Sequence, residues 1–309
     1  MIGGVGAMLP LLLLLEQAPP VFRAGVESVS VDVFVARKGA PVLGLRAEDF
    51  VVKDNGVAQR VEVVDRKTIP TTAVLALDRS ASVSGKKLAL LRAAARAFLT
   101  ELRARDEAAL LAFDDRIELR HEATTDRSAI GGALDGLEAG GATSVIDALY
   151  LSLKRRWGTG LPLVVLFTDG QDSGSWLETE DVLQAARESS TLLHVVGTEN
   201  RGLRLARSSS GAGISPVATE PGYVYLLRRA AEITGGSYWA VDSDDHLEAT
   251  FRKVLETANA RYVLRYEPRG VARPGLHRIE VSVRRGGVDV RARQEYVIPS
   301  SGAGSQSAP

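Results

Sequence analysis

The sequence predicts an α/β fold. It is a doubly wound, Rossmann-like, mostly parallel sheet with one antiparallel edge strand, joined to a small β domain formed by the N- and C-terminal flanks. Three observations predict it. Between residues 70 and 258, strand-like apolar runs alternate with helical patterns. Two of those runs, Thr72 to Leu77 and Leu161 to Phe167, suit central parallel strands covered on both faces. Outside that region the apolar residues alternate with polar ones, the period-two signature of half-buried strands.

Taken in order, Met8 to Leu15 is almost wholly apolar and is followed by Glu16-Gln17-Ala18-Pro19-Pro20. Counted from Met1 the segment is shorter than the roughly twenty residues that span a bilayer. Residues 1–18 are therefore read as a signal peptide, and the chain as exported to the periplasm or beyond, with no transmembrane span in the mature protein. No Lys or Arg precedes the apolar block, and Gln17-Ala18 is the best available cleavage point. Residues 24–68 form the first part of the β domain, with Val29, Val31, Val33 and Val35 on one face. Phe50-Val51-Val52 and Val61-Glu62-Val63-Val64 flank Asn55-Gly56, the dipeptide favoured in two-residue hairpin turns.

Residues 70–258 carry the alternating region. Its strands are Thr72 to Leu77, Ala108 to Phe113, Ile117 to His121, Leu161 to Thr168, Leu192 to Val196 and Ser237 to Val241. Helices are signalled by Leu88, Leu91, Ala95 and Leu99, by Ile146, Leu149 and Leu153, by Val182, Ala185 and Ala186, and by Leu226, Ala230 and Ile233. Ile117 to His121 follows Phe113 through the tight Asp114-Asp115-Arg116 turn, so it runs antiparallel at the sheet edge. Glu199 to Gly222 is an irregular Ser, Gly, Ala and Pro run, longer than most loops, and reads as a mobile surface insertion. Residues 259–298 complete the β domain through Tyr262-Val263-Leu264, the alternating Ile279, Val281 and Val283, and a Gly286-Gly287 turn into Val288 and Val290. Residues 299–309 read as a disordered tail. Neither flank holds enough strands to be stable alone, so the two are expected to share one core.

Composition narrows the chemistry. With no cysteine, disulfides and thiolate metal sites are excluded. Acidic and basic side chains number 38 each, which gives no global attraction to nucleic acid or a membrane surface. The C-terminal arginines Arg261, Arg265, Arg278, Arg284, Arg285, Arg291 and Arg293 read as solvated strand faces that guard sheet edges.

The informative chemistry is Asp78-Arg79-Ser80-Ala81-Ser82, where a buried strand ends in a carboxylate and two hydroxyls at alternating positions. Hard cations such as Mg²⁺ take oxygen ligands of this kind, usually with one or two protein carboxylates. Gly140-Gly141-Ala142-Thr143 adds a hydroxyl after a glycine turn, and Thr168-Asp169-Gly170 ends a second buried strand. Ligands of doubly wound sheets bind at such strand ends, beside the switch point. In this order and placement the three segments resemble the von Willebrand factor type A family and its metal-ion-dependent adhesion site. The resemblance covers Pro70 to Thr257, and the flanks look like a bacterial subgroup in which this domain sits inside a small β domain.

The resemblance implies a set of roles. Ser80, Ser82 and Thr143 would bind the metal directly, Asp78 directly or through water, and Asp169 through water. The implied ion is Mg²⁺, with Mn²⁺ or Ca²⁺ as alternatives, and an exposed Asp or Glu of a partner protein would complete its coordination. That is adhesion rather than catalysis, and no nucleic acid is implied. Asp147 reads as a helix-start acid that favours the dipole. Asp172 fits an acceptor behind the site, a helix cap or a loop-solvating residue. Arg79 departs from the family pattern. Alternation turns it away from the cation toward an acid such as Asp114, whereas an inward Arg79 would lower cation affinity. Two rival readings stand beside this one: a metal-free structural scaffold, and a Mg-dependent hydrolase or phosphotransferase. Haloacid-dehalogenase-like enzymes need a second carboxylate where Ser80 stands, and neither a Gly-rich phosphate loop nor a G-x-S-x-G elbow occurs. The four histidines are scattered, and His194, inside a strand, reads as a core residue.

Overall fold

The computed structural model describes residues 28–170, 172–198, 222–271 and 274–298. The apolar N-terminal segment, the irregular run from Glu199 as far as residue 221, and the 299–309 tail lie outside the described residues.

The N-terminal flank supplies β1 (Val29–Arg37), β2 (Ala40–Pro41), β3 (Phe50–Asp54), β4 (Val57–Gln59) and β5 (Glu62–Val64). Then follow β6 (Thr71–Asp78), α1 (Lys86–Glu101), β7 (Glu107–Phe113), β8 (Ile117–Thr124), α2 (Arg127–Asp135) and α3 (Val145–Lys154). The middle continues through β9 (Leu161–Thr168), α4 (Thr179–Glu188), β10 (Leu192–Thr198), α5 (Gly222–Thr234), β11 (Ser237–Val241) and α6 (Leu247–Asn259). The chain closes with β12 (Tyr262–Tyr266), β13 (Gly275–Val283), β14 (Asp289–Ala292) and β15 (Glu295–Ile298). Among the described residues no helix is long and apolar enough to cross a membrane.

The six central strands form one sheet in the order β11-β10-β9-β6-β7-β8. All neighbours are parallel except β7 and β8, which pair antiparallel at the edge. Every residue of β6 is buried, as a strand covered on both faces must be. Its alternation divides the core. Ala73, Leu75 and Leu77 join Leu91 and Phe98 of α1 and Phe251 and Val254 of α6. Val74 and Ala76 face the other layer, with Leu149 of α3, Val182 of α4 and Ala230 of α5.

The flanks build two further sheets, β14-β1-β12-β5 (with β2 on β1) and β15-β13-β3-β4. Both mix strands from the two ends of the chain, and they enclose Val31, Val33, Val35, Phe50, Val52, Leu264 and Ile279 in one core. Two local expectations are corrected. Asn55 and Gly56, both at positive φ, turn β3 into the short β4, while the Val61 to Val64 stretch crosses to pair with β12 in the other sheet. Likewise Gly286-Gly287 does not close a hairpin, since β13 pairs with β3 and β15 while β14 pairs with β1. A third correction concerns the arginines, because Arg261 and Arg293 are buried. They donate to the carbonyls of Gly235 and Arg187, tying the flanking sheets to the helical layer where a buried carbonyl needs a donor.

Candidate metal centre

The site grows from the sheet topology. From β6 the chain runs to β7 on one side, while β9 lies on the other, so the loops part at the carboxyl ends of β6 and β9 and leave a crevice. Leu77 and Phe167 are register partners, which brings Asp78 at the end of β6 beside Thr168 and Asp169 at the end of β9.

Asp78 is fully buried, with Oδ1 accepting from Ser80 N at 2.8 Å and Oδ2 from Thr168 Oγ1 at 2.7 Å. Its carboxyl pKa is raised, chiefly by burial, with the Thr168 and Ser80 hydrogen bonds opposing the shift. The Ser80 and Ser82 hydroxyls are 3.1 Å apart, and Ser82 Oγ donates to Asp169 Oδ1 at 2.7 Å. Thr143 reaches the group across a glycine. A Cβ built on Gly170 would stand 3.6 Å from Thr143 Oγ1 and 4.0 Å from Ser82 Oγ, so both hydroxyls face the same narrow space.

Backbone bonds lock the loops together. Gly140 N donates to Arg79 O at 2.8 Å, and Ala81 N to Gly141 O at 3.2 Å. Gly141 sits at a φ of +76°, and a Cβ there would lie 2.5 Å from Asp115 Oδ1, so the turn needs glycine. The loop after Asp169 is strapped on as well. Ser173 N and Gly174 N both donate to Thr143 O, and Asp172 Oδ1 accepts from Ile146 N in the first turn of α3. Asp172 therefore caps that helix from a neighbouring loop. Asp147 accepts from the backbone N–H groups of Trp176 and Leu177. That holds Trp176 in place although its side chain is 94% exposed.

Arg79 turns outward. Its guanidinium meets Asp114 Oδ2 at 3.0 Å and Glu118 Oε1 at 2.9 Å, as the alternation of the loop requires. Sequence reasoning missed Lys87, whose ammonium is paired with Asp169 Oδ2. The signal was available, because a lysine in the first turn of a helix opposes the dipole and calls for an acid nearby. His194 is buried, with Nδ1 accepting from Ser237 N and from Trp239 Nε1.

The donor set fits a hard divalent cation. Two carboxylates and three hydroxyls offer only oxygen, and the ammonium at Asp169 marks the place as one where a positive charge is stable. Among the described residues no group of three or more His, Cys, Asp or Glu side chains is arranged to hold a metal. A cation here would therefore depend on the hydroxyls as much as on the acids.

Comparison with known proteins gives a family and a fold. Residues 73–171 match the von Willebrand factor type A domain. No curated protein matches the chain. Among solved structures, a von Willebrand factor type A protein from Catenulispora acidiphila is 13% identical, with 89% of this chain and 75% of that one covered and a TM-score of 0.49. BatB from Bacteroides thetaiotaomicron is 16% identical over 61% of this chain and 98% of its own, with a TM-score of 0.45. Proximal thread matrix protein 1 from the mussel byssus, solved with a zinc-occupied MIDAS motif, is 16% identical, with 66% of this chain covered and a TM-score of 0.50. The match spans 49% of that mussel chain, about half its length. The family match runs from inside β6 to just past β9, over Asp78, Thr143 and Asp169, so the chain contains a von Willebrand factor type A domain match over the residues that build the site.

Proposed function

We propose that this protein is a metal-ion-dependent adhesion module that captures a carboxylate of a partner protein through a divalent cation. The cation would be held by Asp78, Ser80, Ser82, Thr143 and Asp169. The observation that carries the reading is the convergence of these oxygen donors, from three interlocked loops, at the carboxyl ends of β6 and β9. A bound Mg²⁺, Mn²⁺ or Ca²⁺ would supply a coordination position that an Asp or Glu from outside can take. The residues of this chain do the rest. Asp78 and Asp169 bring negative charge, the hydroxyls complete the oxygen set without adding more, and the backbone bonds between loops fix the spacing.

Trp176 supports a protein partner. An exposed tryptophan on a loop anchored to Thr143 and Asp147 is the kind of side chain that dominates interface energetics. In this reading residues 70–258 are the binding module and residues 24–68 and 259–298 its frame. Export, motivated by the apolar Met8 to Leu15 segment, belongs to the same proposal. The function is binding and not turnover, since Ser80 stands where a phosphotransferase would need an acid.

One observation favours a metal-free scaffold instead. Asp169 already divides its oxygens between Ser82 and Lys87, and Asp78 between Ser80 and Thr168. Calorimetric titration with MgCl₂ and MnCl₂ separates the two readings. The adhesion reading expects binding in the wild type and its loss in Asp78→Ala, which removes a charged donor. No binding at millimolar metal, or equal binding by the variant, would leave the scaffold reading in possession.

A further inference from the structure

Lys87 is the second residue of α1, a helix whose N-cap is Gly85 and whose first turn holds no acidic side chain. A cation there faces the positive end of the helix dipole and is disfavoured unless something nearby compensates. Lys87 is nonetheless drawn in, with its side chain only 23% exposed and its ammonium on Asp169 Oδ2, while the Asp169 side chain is 2% exposed. The other Asp169 oxygen belongs to Ser82, and both oxygens of Asp78 are taken by neutral donors. The neighbouring Lys86 is paired with Asp245, and Arg79 is engaged with Asp114 and Glu118. The compensation for the Asp169 charge therefore comes from Lys87.

We propose that Lys87 is a built-in counter-cation of the site, competing with the divalent ion for Asp169 Oδ2 and so setting the affinity of loading. This rests on the metal-dependent reading above. A buried carboxylate left without a positive partner is costly, so the ion-free protein needs a substitute charge to hold the loop after β9 in place. Lysine suits that task better than arginine. Its ammonium is a compact point charge on a flexible four-carbon stem, able to swing into solvent when a dication arrives. Arginine would grip the carboxylate through a planar fork and resist displacement. Loading then exchanges one cation for another, and the net gain is smaller than the ion's own attraction to the donors.

The test is a cycle of metal titrations on the full chain: wild type, Lys87→Met, Asp169→Asn and the double variant, each titrated with MgCl₂ and MnCl₂. Lys87→Met is expected to bind metal on the order of tenfold more tightly, the factor that one partly buried ion pair amounts to. In the Asp169→Asn background the same substitution should change affinity by less than about twofold, because the competition has lost its object. Wild-type binding with unchanged or weaker binding in Lys87→Met overturns the proposal and leaves the metal site standing. Binding by neither protein ends both readings.

Lys87→Gln, which keeps a donor but removes the charge, replaces Lys87→Met if that variant does not fold. A measurement on the unaltered protein closes the argument. Mass-spectrometric mapping of an amine-acylating reagent should find Lys87 labelled several-fold faster with saturating Mg²⁺ than with chelator. Equal labelling in the two conditions refutes the exchange.

Discussion

Replacing Arg79 with methionine tests how the loop beneath the site is held. The guanidinium bridges Asp114 and Glu118, with side-chain exposures of 13%, 9% and 34% for the three partners. Methionine fills a similar volume, so the main loss is charge. Truncating one member of a buried pair costs about 3–5 kcal/mol because its partner is left buried and unpaired. Glu118 can turn to water and Asp114 cannot, which places the expected loss near the lower end, about 3 kcal/mol. Burial already raises the Asp114 carboxyl pKa, and the Arg116 amide and the Arg79 charge hold it down. Without Arg79 that pKa rises further. A group with a raised folded pKa costs stability when ionised, so the penalty in Arg79→Met should be greatest at neutral pH and shrink as pH falls through the raised value. Urea unfolding followed by far-UV circular dichroism, repeated across pH, measures both effects. A loss below about 1 kcal/mol, the scale of an exposed pair, would mean that the bridge is solvated. A penalty independent of pH would refute the role given to Asp114. Metal affinity in this variant should stay within about twofold of wild type, since the guanidinium points away from the donors toward Asp114 and Glu118.

Two further outcomes follow from the same structure. His194 has its pKa lowered from 6.5 to about 3, first by burial and then by the Arg261 charge, so it stays neutral in the folded protein. Its contribution is fully present above pH 6.5 and declines below it, by at most about 1.4 kcal/mol per pH unit, as the unfolded chain takes up a proton that the fold refuses. Unfolding free energies that stay flat from about pH 6 to about pH 4 would contradict this burial. Removing residues 1–65 deletes β1 and β3, each of which lies between two partners, and strips the buried Val31, Val33, Val35, Phe50 and Val52 from the flanking core. At roughly 1.5–3 kcal/mol per buried side chain the loss rivals the stability of a whole domain, so aggregation is expected. A monomeric truncation with an unchanged unfolding midpoint, read by light scattering and calorimetry, would show that the two flanks do not depend on each other.

The central sheet was legible because its strands are apolar throughout and punctuated by turns. Asp114-Asp115-Arg116 gave away the antiparallel edge. α6 went unread although Leu247, Phe251, Val254, Leu255 and Ala258 fall on one helical face. α2 was hidden by Gly131-Gly132, which lowers helix propensity; Gly131 leaves room for Arg96, whose guanidinium lies 2.9 Å from where a Cβ would stand. Pairing in the flanks could not be read. β1 meets β12 and β14 more than two hundred residues away, and period-two alternation names a face without naming a neighbour. At the site, strand ends pointed to Asp78 and Asp169. Lys87 carried a local signal in its place in the first turn of α1, but its pairing with Asp169, and the strap from Asp172 to Trp176, depend on how loops fold back on one another.

The chain leaves the flanking sheets after β5 and returns to them at β12, and these two strands are hydrogen-bonded neighbours, with Val64 opposite Val263 and Val63 opposite Leu264. The central unit thus hangs as a loop from a closed clasp. A mechanical load pulled between the two ends of the described chain runs across the ladders joining β1 to β12 and β14 and β3 to β13. The Asp78 crevice stays out of the line of tension until the β5–β12 pairing shears. A module built this way can be tugged through its frame without its site being stretched, while a pull delivered at the site itself meets the clasp from the other side.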